Sequence, residues 1–242
     1  MRDDTRTELG GRSVVLTGVG REGQVGEAVA RAFAERGARV FLIDRTEAHV
    51  RARADAFVAE GLRAAALVAD LTDPAGVSAV AERVREATSG RVSALVHLAG
   101  GFAPSGPVAQ SDVAVWHQQL AINATTAYLT ARAFLPLVRA ARGAIVFFAS
   151  EAILPDGHVA ELSAYAAAKS AVASLMRSIA QEEKANGVRA NAVAPTAIRT
   201  ADNVAGMGAE APMVTREAVA DVVLWLCSDA ARSVTGQVIP VR

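Results

Sequence analysis

Ser13-Val14-Val15-Leu16-Thr17-Gly18-Val19-Gly20-Arg21-Glu22-Gly23-Gln24-Val25-Gly26 decides how the rest of the chain is read. A short β-branched run ends in a glycine-rich turn. A segment with helical periodicity, Val25–Arg36, follows at once. Gly18, Gly20, Gly23 and Gly26 let the backbone turn tightly and approach a pyrophosphate held on the free N–H groups of a helix start. By itself a glycine-rich turn is a weak signal, and its weight comes from what surrounds it.

Working outward, the same strand-then-helix unit recurs. Apolar runs at Arg39–Ile43, Ala64–Ala69, Ala94–Leu98, Ala144–Phe148, Arg189–Val193 and Gln237–Val241 predict strands. Periodic, alanine-rich stretches at Glu47–Glu60, Pro74–Thr88, Asp112–Arg139, Ala164–Asn186 and Arg216–Cys227 predict helices. Thr72 or Asp73, Ser111 or Asp112, and Thr215 are candidate caps, while Gly37, Gly61 and Gly187 follow helix ends. The strands are nearly continuous apolar runs, as expected where helices cover both faces of a parallel sheet. Strict alternation with right-handed crossovers predicts an α/β fold, a doubly wound (Rossmann) parallel sheet of about seven strands with helices on both faces. With no repeat and no linker, residues 1–242 are expected to form one domain.

Composition narrows the function classes. The chain is 52% hydrophobic and 21% charged, with a formal net charge of zero. That balance fits a packed globule and offers no electrostatic footprint for nucleic acid or an anionic membrane. One cysteine, Cys227, excludes an intrachain disulfide and a cysteine metal cluster, and is expected in the core. Met1 to Gly11 lacks the apolar stretch of a signal peptide, no run is long enough to span a bilayer, and the cytoplasm is the expected location.

Ligands of such sheets bind at the carboxyl ends of the strands, and polar residues collect there. Asp44 ends the second strand, where a carboxylate accepts from ribose hydroxyls and repels a 2′-phosphate, favouring NAD over NADP. Arg21 and Arg45 are nearby cations that could offset this and admit NADP. Asp70 ends the third strand in position to receive an adenine amino group. Ala99, Gly100 and Gly101 follow the fourth, small enough for a dinucleotide to cross the sheet edge. Tyr165 and Lys169 stand one helical turn apart on one face. A tyrosine ionises near pH 10, and a fixed cation about 4–6 Å away lowers that by roughly 1–3 units, toward the range useful for acid–base catalysis.

Taken together, Thr17-Gly18 through Gly26, Asp70, Ala99-Gly100, Asn123, Ser150, Tyr165-x-x-x-Lys169, Asn191-Ala192-Val193-Ala194-Pro195 and Val234-Thr235-Gly236-Gln237 resemble the short-chain dehydrogenase/reductase family over nearly the whole chain. The resemblance implies that Tyr165 exchanges a proton with the substrate oxygen. Lys169 would lower the Tyr165 pKa and hold the nicotinamide ribose, Ser150 would bind the carbonyl or alcohol oxygen, and Asn123 would support a water relay toward Lys169. It also implies a cofactor site that includes Val25, Arg45, Leu71, Pro195 and Ile198 beside the glycines and aspartates above. Four departures stand out. The first turn is about two residues longer than Thr-Gly-x-x-x-Gly-x-Gly, with Gln24 nearest the middle glycine. His97-Leu98 stands where Asn-Asn is common, Thr196 replaces a glycine, and the chain closes on Val241-Arg242 without Asp-Gly-Gly.

The remaining expectations are less sharp. Ser163 rivals Ser150 on spacing alone. His158 is a candidate substrate contact, His97 a candidate groove residue, and His49 and His117 surface or interface residues; no pair has metal-ligand spacing. Residues 195–215, with Gly206, Gly208, Met207 and Met213, read as a substrate lid. A small to medium, fairly apolar alcohol or ketone is the expected substrate. Asp112–Arg139 and Ala164–Asn186 are apolar beyond one stripe and predict a homo-oligomer, a dimer or tetramer. Two alternatives stand beside this reading. Ala99-Gly100-Gly101-Phe102 with Ile198, Thr200, Asn203 and Met207 is similar to dihydropteridine reductases, which use NADH but lack the serine. The altered first turn also leaves room for a non-catalytic dinucleotide sensor.

Overall fold

Seven parallel strands form one sheet in a computed structural model that describes residues 9–242. Most of the Met1–Gly11 segment lies outside the described residues. The strands are β1 (Ser13–Thr17), β2 (Arg39–Asp44), β3 (Arg63–Val68), β4 (Ala94–His97), β5 (Ala144–Phe148), β6 (Arg189–Pro195) and β7 (Val238–Val241). Their spatial order is β3-β2-β1-β4-β5-β6-β7. The direction of winding reverses between β1 and β4, and a crevice opens there at the carboxyl ends.

Alternation along each strand sorts the core. Val14, Leu16, Val40 and Leu42 face a layer formed by α1 (Val25–Glu35), α2 (Glu47–Ala59) and α8 (Arg216–Cys227). Val15, Phe41, Ile43 and Leu95 face α3 (Pro74–Ala87), α5 (Thr126–Ala141) and α6 (Ser163–Glu182). Both faces are therefore covered, which is why the strands read as continuous apolar runs. Cys227 is buried in the first layer, and burial pushes its thiol up to about 12, so it is unreactive.

Local chemistry sets the helix boundaries. Asp73 caps α3 by accepting from the N–H groups of Ala75 and Gly76, with Pro74 in the first turn; Thr215 likewise caps α8. Gly37, Gly61 and Gly187 all adopt positive φ after helix ends. No described helix is long and apolar enough to cross a membrane.

Two segments depart from expectation. The predicted helix Asp112–Arg139 is not continuous: α4 (Val113–Gln119) passes through a π-helical turn, Leu120–Thr125, into α5. An extra residue in that turn carries Asn123 inward, where it is buried against Gln119 and Gly101. Helical periodicity cannot register a single-residue insertion that leaves both flanks helical. The segment read as a lid contains a short helix, α7 (Ala201–Met207), capped by Thr200. Its base is tied by an Ile198–Val214 bridge and by Arg199 N–H donating to the Val214 carbonyl at 2.8 Å.

Candidate active site

Backbone contacts too close for any side chain build the nucleotide end of the crevice. A Cβ on Gly18 would lie 2.8 Å from the Ala99 nitrogen, and one on Gly26 would lie 2.5 Å from the Gly18 carbonyl oxygen. Gly18 also adopts φ +73°. The turn therefore folds flat onto β4, and α1 begins with no side-chain cap from Gln24. Its first N–H groups stay available to an anion, which is what a pyrophosphate requires.

A groove of about 600 Å³ runs from this turn across the sheet edge. Gly18, Val25, Gly26, Asp44, Arg45, Asp70, Leu71, Ala99, Gly100 and Gly101, all assigned to the cofactor on sequence, line it together. Six residues assigned to the cofactor are not among the lining: Tyr165 and Lys169, which stand beyond Gly100, and Gly20, Gly23, Pro195 and Ile198. A Cβ on Gly20 would press 2.7 Å from the Asp44 carboxylate, so this glycine packs against Asp44. Gly23 turns toward Arg216 of α8. Pro195 is buried beside Val241 at the end of β6, and Ile198 is held in its bridge with Val214.

Asp70 accepts from the Thr72 N–H at 2.9 Å and the Thr72 hydroxyl at 2.7 Å. Both bonds favour the ionised form and lower its pKa, with a smaller contribution from Arg45. Asp44 accepts from the Thr46 N–H at 3.1 Å, which fixes one carboxylate oxygen. Arg21 donates to Asp202 of α7 at 2.7 Å, and Gln24 reaches the same carboxylate. The lengthened first turn thus touches the segment read as a lid.

His97 does not line the groove. It lies beneath the floor at 2% exposure, between the hydroxyls of Thr17 (3.0 Å, to Nδ1) and Thr126 (3.3 Å, to Nε2). The Thr126 hydroxyl donates to the Ile122 carbonyl, so it accepts from Nε2–H. That leaves Nδ1 to accept from the Thr17 hydroxyl, which in turn accepts from the Ala99 N–H at 3.2 Å. Burial, and then the Lys169 charge, push His97 down to about 3, so it is neutral. It ties β1 and β4 to the start of α5. His49, expected only at the surface or an interface, is among the groove residues with Thr46, Thr72, Leu98 and Ile122. The sequence signal for it was its place in the first turn of the helix after β2.

At the reacting end, α6 brings Tyr165 and Lys169 onto one face beside β5. The Lys169 ammonium is buried, donates to the Phe148 carbonyl at 2.8 Å, and lies 5.8 Å from the centre of the Tyr165 ring. Burial pushes its pKa down to about 8. Tyr165 departs from expectation: its pKa is raised, first by burial and further by the Glu151 charge, while a hydrogen bond with Ser150 pulls it down. Desolvation of the phenolate outweighs any help from the ammonium. Ser150 also accepts from the Ala152 N–H at 3.3 Å. Ser163, the rival serine, is engaged with Ser105 at 3.0 Å. Asn123 uses its amide on Gly101 and Gln119, holding the Gly100–Gly101 segment against the π turn. A Cβ on Gly100 would meet both Asn123 (2.5 Å) and the Lys169 ammonium (3.4 Å), so the groove runs into the Tyr–Lys cluster at this glycine. Phe102 stacks edge-on against Tyr165 at 5.1 Å, a contact with no sequence signal. His158 is exposed and makes no side-chain hydrogen bond among the described residues.

Comparison with known proteins agrees with this arrangement. Residues 18–242 match the family described as enoyl-(acyl carrier protein) reductase. A cis-4-hydroxycyclohexanecarboxylate dehydrogenase from Sinomonas cyclohexanicum is 38% identical, over 95% of this chain and 94% of its own length. A galactitol 2-dehydrogenase from Rhizobium johnstonii is 35% identical, over 96% and 94%. The crystal structure of a 3-oxoacyl-[acyl-carrier protein] reductase with bound NAD from Brucella melitensis superposes with a TM-score of 0.83 at 30% identity, covering 98% of this chain and 91% of that one. With the doubly wound sheet, the glycine cradle and the Tyr165–Lys169 pair in place, the chain belongs to the short-chain dehydrogenase/reductase family.

Proposed function

We propose that the protein interconverts a secondary alcohol and its ketone with NAD, using Tyr165 as the group that exchanges the substrate proton. The observation that carries this reading is the convergence at Gly100: the groove that holds the glycine turn, Asp44 and Asp70 reaches the place where the Lys169 ammonium, the Ser150 hydroxyl and the Tyr165 phenol meet. The nicotinamide dinucleotide supplies the hydride acceptor or donor. Tyr165 holds the proton at the substrate oxygen, and Ser150 hydrogen-bonds both that oxygen and the phenol. Lys169 keeps one N–H on Phe148 and has two to offer a ribose. Phe102 walls the substrate side. The base strength of Tyr165 develops when a ligand and Lys169 together replace the water lost on burial.

Several features support NAD as the preferred partner of the groove. Asp44 projects at the ribose position, and Arg21, one of the two cations able to attract a 2′-phosphate, is engaged with Asp202. The two relatives above are named for substrates with secondary hydroxyls on a ring or a polyol, and a compound of that class is the proposed substrate, with the 195–215 segment of a single domain as its lid. Val113, Trp116 and Tyr128 are 65%, 41% and 52% exposed along α4 and α5, which supports a symmetric oligomer through that face. Light scattering at micromolar concentration is expected to give a dimer or tetramer, and a monomer removes that part of the proposal.

The functional test is a panel of cyclic secondary alcohols, polyols and their ketones, read as NADH absorbance. Turnover of at least one pair is expected. Binding of NADH with no turnover across the panel in either direction would overturn the assignment.

A further inference from the structure

The opposite end of the sheet carries a second cavity, of about 570 Å³, at the amino ends of β4, β5 and β6. Its charged lining is Arg12, Arg142, Lys184, Arg189 and Arg232, with Asp229 the single carboxylate among them. This concentration of cations occurs in a chain whose formal net charge is zero. Asp229 pairs with Arg12 at 3.3 Å. Arg189 is fixed by donating to the carbonyls of Leu226 and Ser228. Among the described residues, Arg142, Lys184 and Arg232 have no carboxylate within ion-pair distance, whereas Arg31, Arg53 and Arg139 each pair with a glutamate.

Backbone strain points to the same place. Arg142 closes α5 with φ +52° and ψ +43°, the left-handed region, where glycine is the usual residue. It is one of three non-glycine residues with positive φ among the described residues. A β-carbon is disfavoured in that conformation by its approach to the carbonyl oxygen. Across the cavity, Gly187 has no β-carbon, and one built there would lie 2.8 Å from Arg142 Nε. The chain thus holds an arginine in a conformation that favours glycine, packed against Gly187, whose own positive φ already calls for glycine. Strain kept at a concave, like-charged site is what a ligand-binding arginine looks like before its ligand arrives.

We infer that this cavity binds a compact phosphate-bearing anion of the pyrophosphate class, held by Arg142 and Arg232 with Lys184 as a third cation and Arg189 as a fixed wall. Guanidinium forks match phosphate oxygens in pairs, and a concave basic wall raises the local anion concentration. The site lies at the strand ends away from the cofactor groove and shares no lining residue with it.

Calorimetric titration of the full chain with inorganic pyrophosphate at low salt tests the inference. The expected result is saturable binding that weakens with added salt and drops at least about tenfold in Arg142→Gly and again in Arg232→Gln. Arg142→Gly should unfold at the same or a higher temperature than the natural chain, because glycine relieves the left-handed strain. Loss of binding in that variant is therefore not loss of fold. Absence of binding to the natural chain overturns the inference. So does binding that both variants keep, since the pyrophosphate would then sit on the glycine turn of α1. The proposed oxidoreductase chemistry stands or falls separately, on the substrate panel.

Discussion

The two halves of the crevice are built on different physics. On the β1–β3 side the walls are backbone and exposed charge: glycines that exclude a side chain, an α1 start left uncapped, and Asp44 and Asp70 at strand ends. On the β4–β6 side stand buried titratable groups whose ionisation is moved by desolvation: Lys169 and Tyr165 at the reacting end and His97 beneath the floor. Shape selects the ligand in the first half. Burial tunes the chemistry in the second. Substitutions should therefore act differently on the two sides.

The largest effect belongs to the reacting half. Tyr165→Phe removes one hydroxyl from a partly buried ring that keeps its edge-on contact with Phe102. Turnover of whichever substrate the panel identifies should fall by about 10²–10⁴-fold, the usual worth of a positioned acid–base group. NADH affinity, set mainly on the other side, should stay within a few-fold. Retained turnover would remove Tyr165 from its role and blur the distinction between the halves.

His97 gives the next largest effect, and it appears in stability. Its pKa is about 3 in the folded protein, below the unfolded value near 6.5. Between these two pH values the unfolded chain binds a proton that the folded chain refuses. Stability from this group is therefore fully present above about pH 6.5 and declines as pH falls toward 3, by a total on the order of 5 kcal/mol. His97→Asn keeps a polar group between Thr17 and Thr126 but cannot take up the proton. Denaturant unfolding across that window should show a flatter acid limb in the variant, whatever its absolute stability. Parallel limbs would mean that carboxylates carry the acid sensitivity.

How much of this was legible in the sequence divides along the same line. The doubly wound parallel sheet, the glycine turn, Asp44, Asp70 and the Tyr165–Lys169 pair were visible because each depends on residue type and local spacing. The sequence pattern could not show that Gly20 and Gly23 face Asp44 and α8, since a two-residue lengthening of the turn shifts which glycine meets the groove. Nor could it show His97 under the floor: a histidine ending an apolar strand reads equally as lining or as buried. The direction of the Tyr165 shift was missed for a related reason. A cation one turn away is written in the sequence, whereas the loss of water around the phenol and the approach of Glu151 arise only on folding. The π turn likewise leaves no trace in a helical pattern.

The smallest effect tests the shape-selecting half. Asp44→Ala removes the groove carboxylate proposed to accept from a ribose and leaves Gly20 with no side chain to back. Repulsion of a 2′-phosphate by one partly exposed charge is screened by solvent, so the change in the NAD-to-NADP ratio of kcat/KM should be about tenfold, near 1.4 kcal/mol. Most of it should appear as a weaker KM for NAD, because kcat depends on the distant Tyr165 cluster. Arg45 also lines the groove and becomes the dominant nearby charge once Asp44 is gone, while Arg21 stays tied to Asp202. A ratio that does not move would show that Asp44 does no more than anchor the Thr46 N–H. Cofactor choice would then rest with the backbone of the lengthened turn.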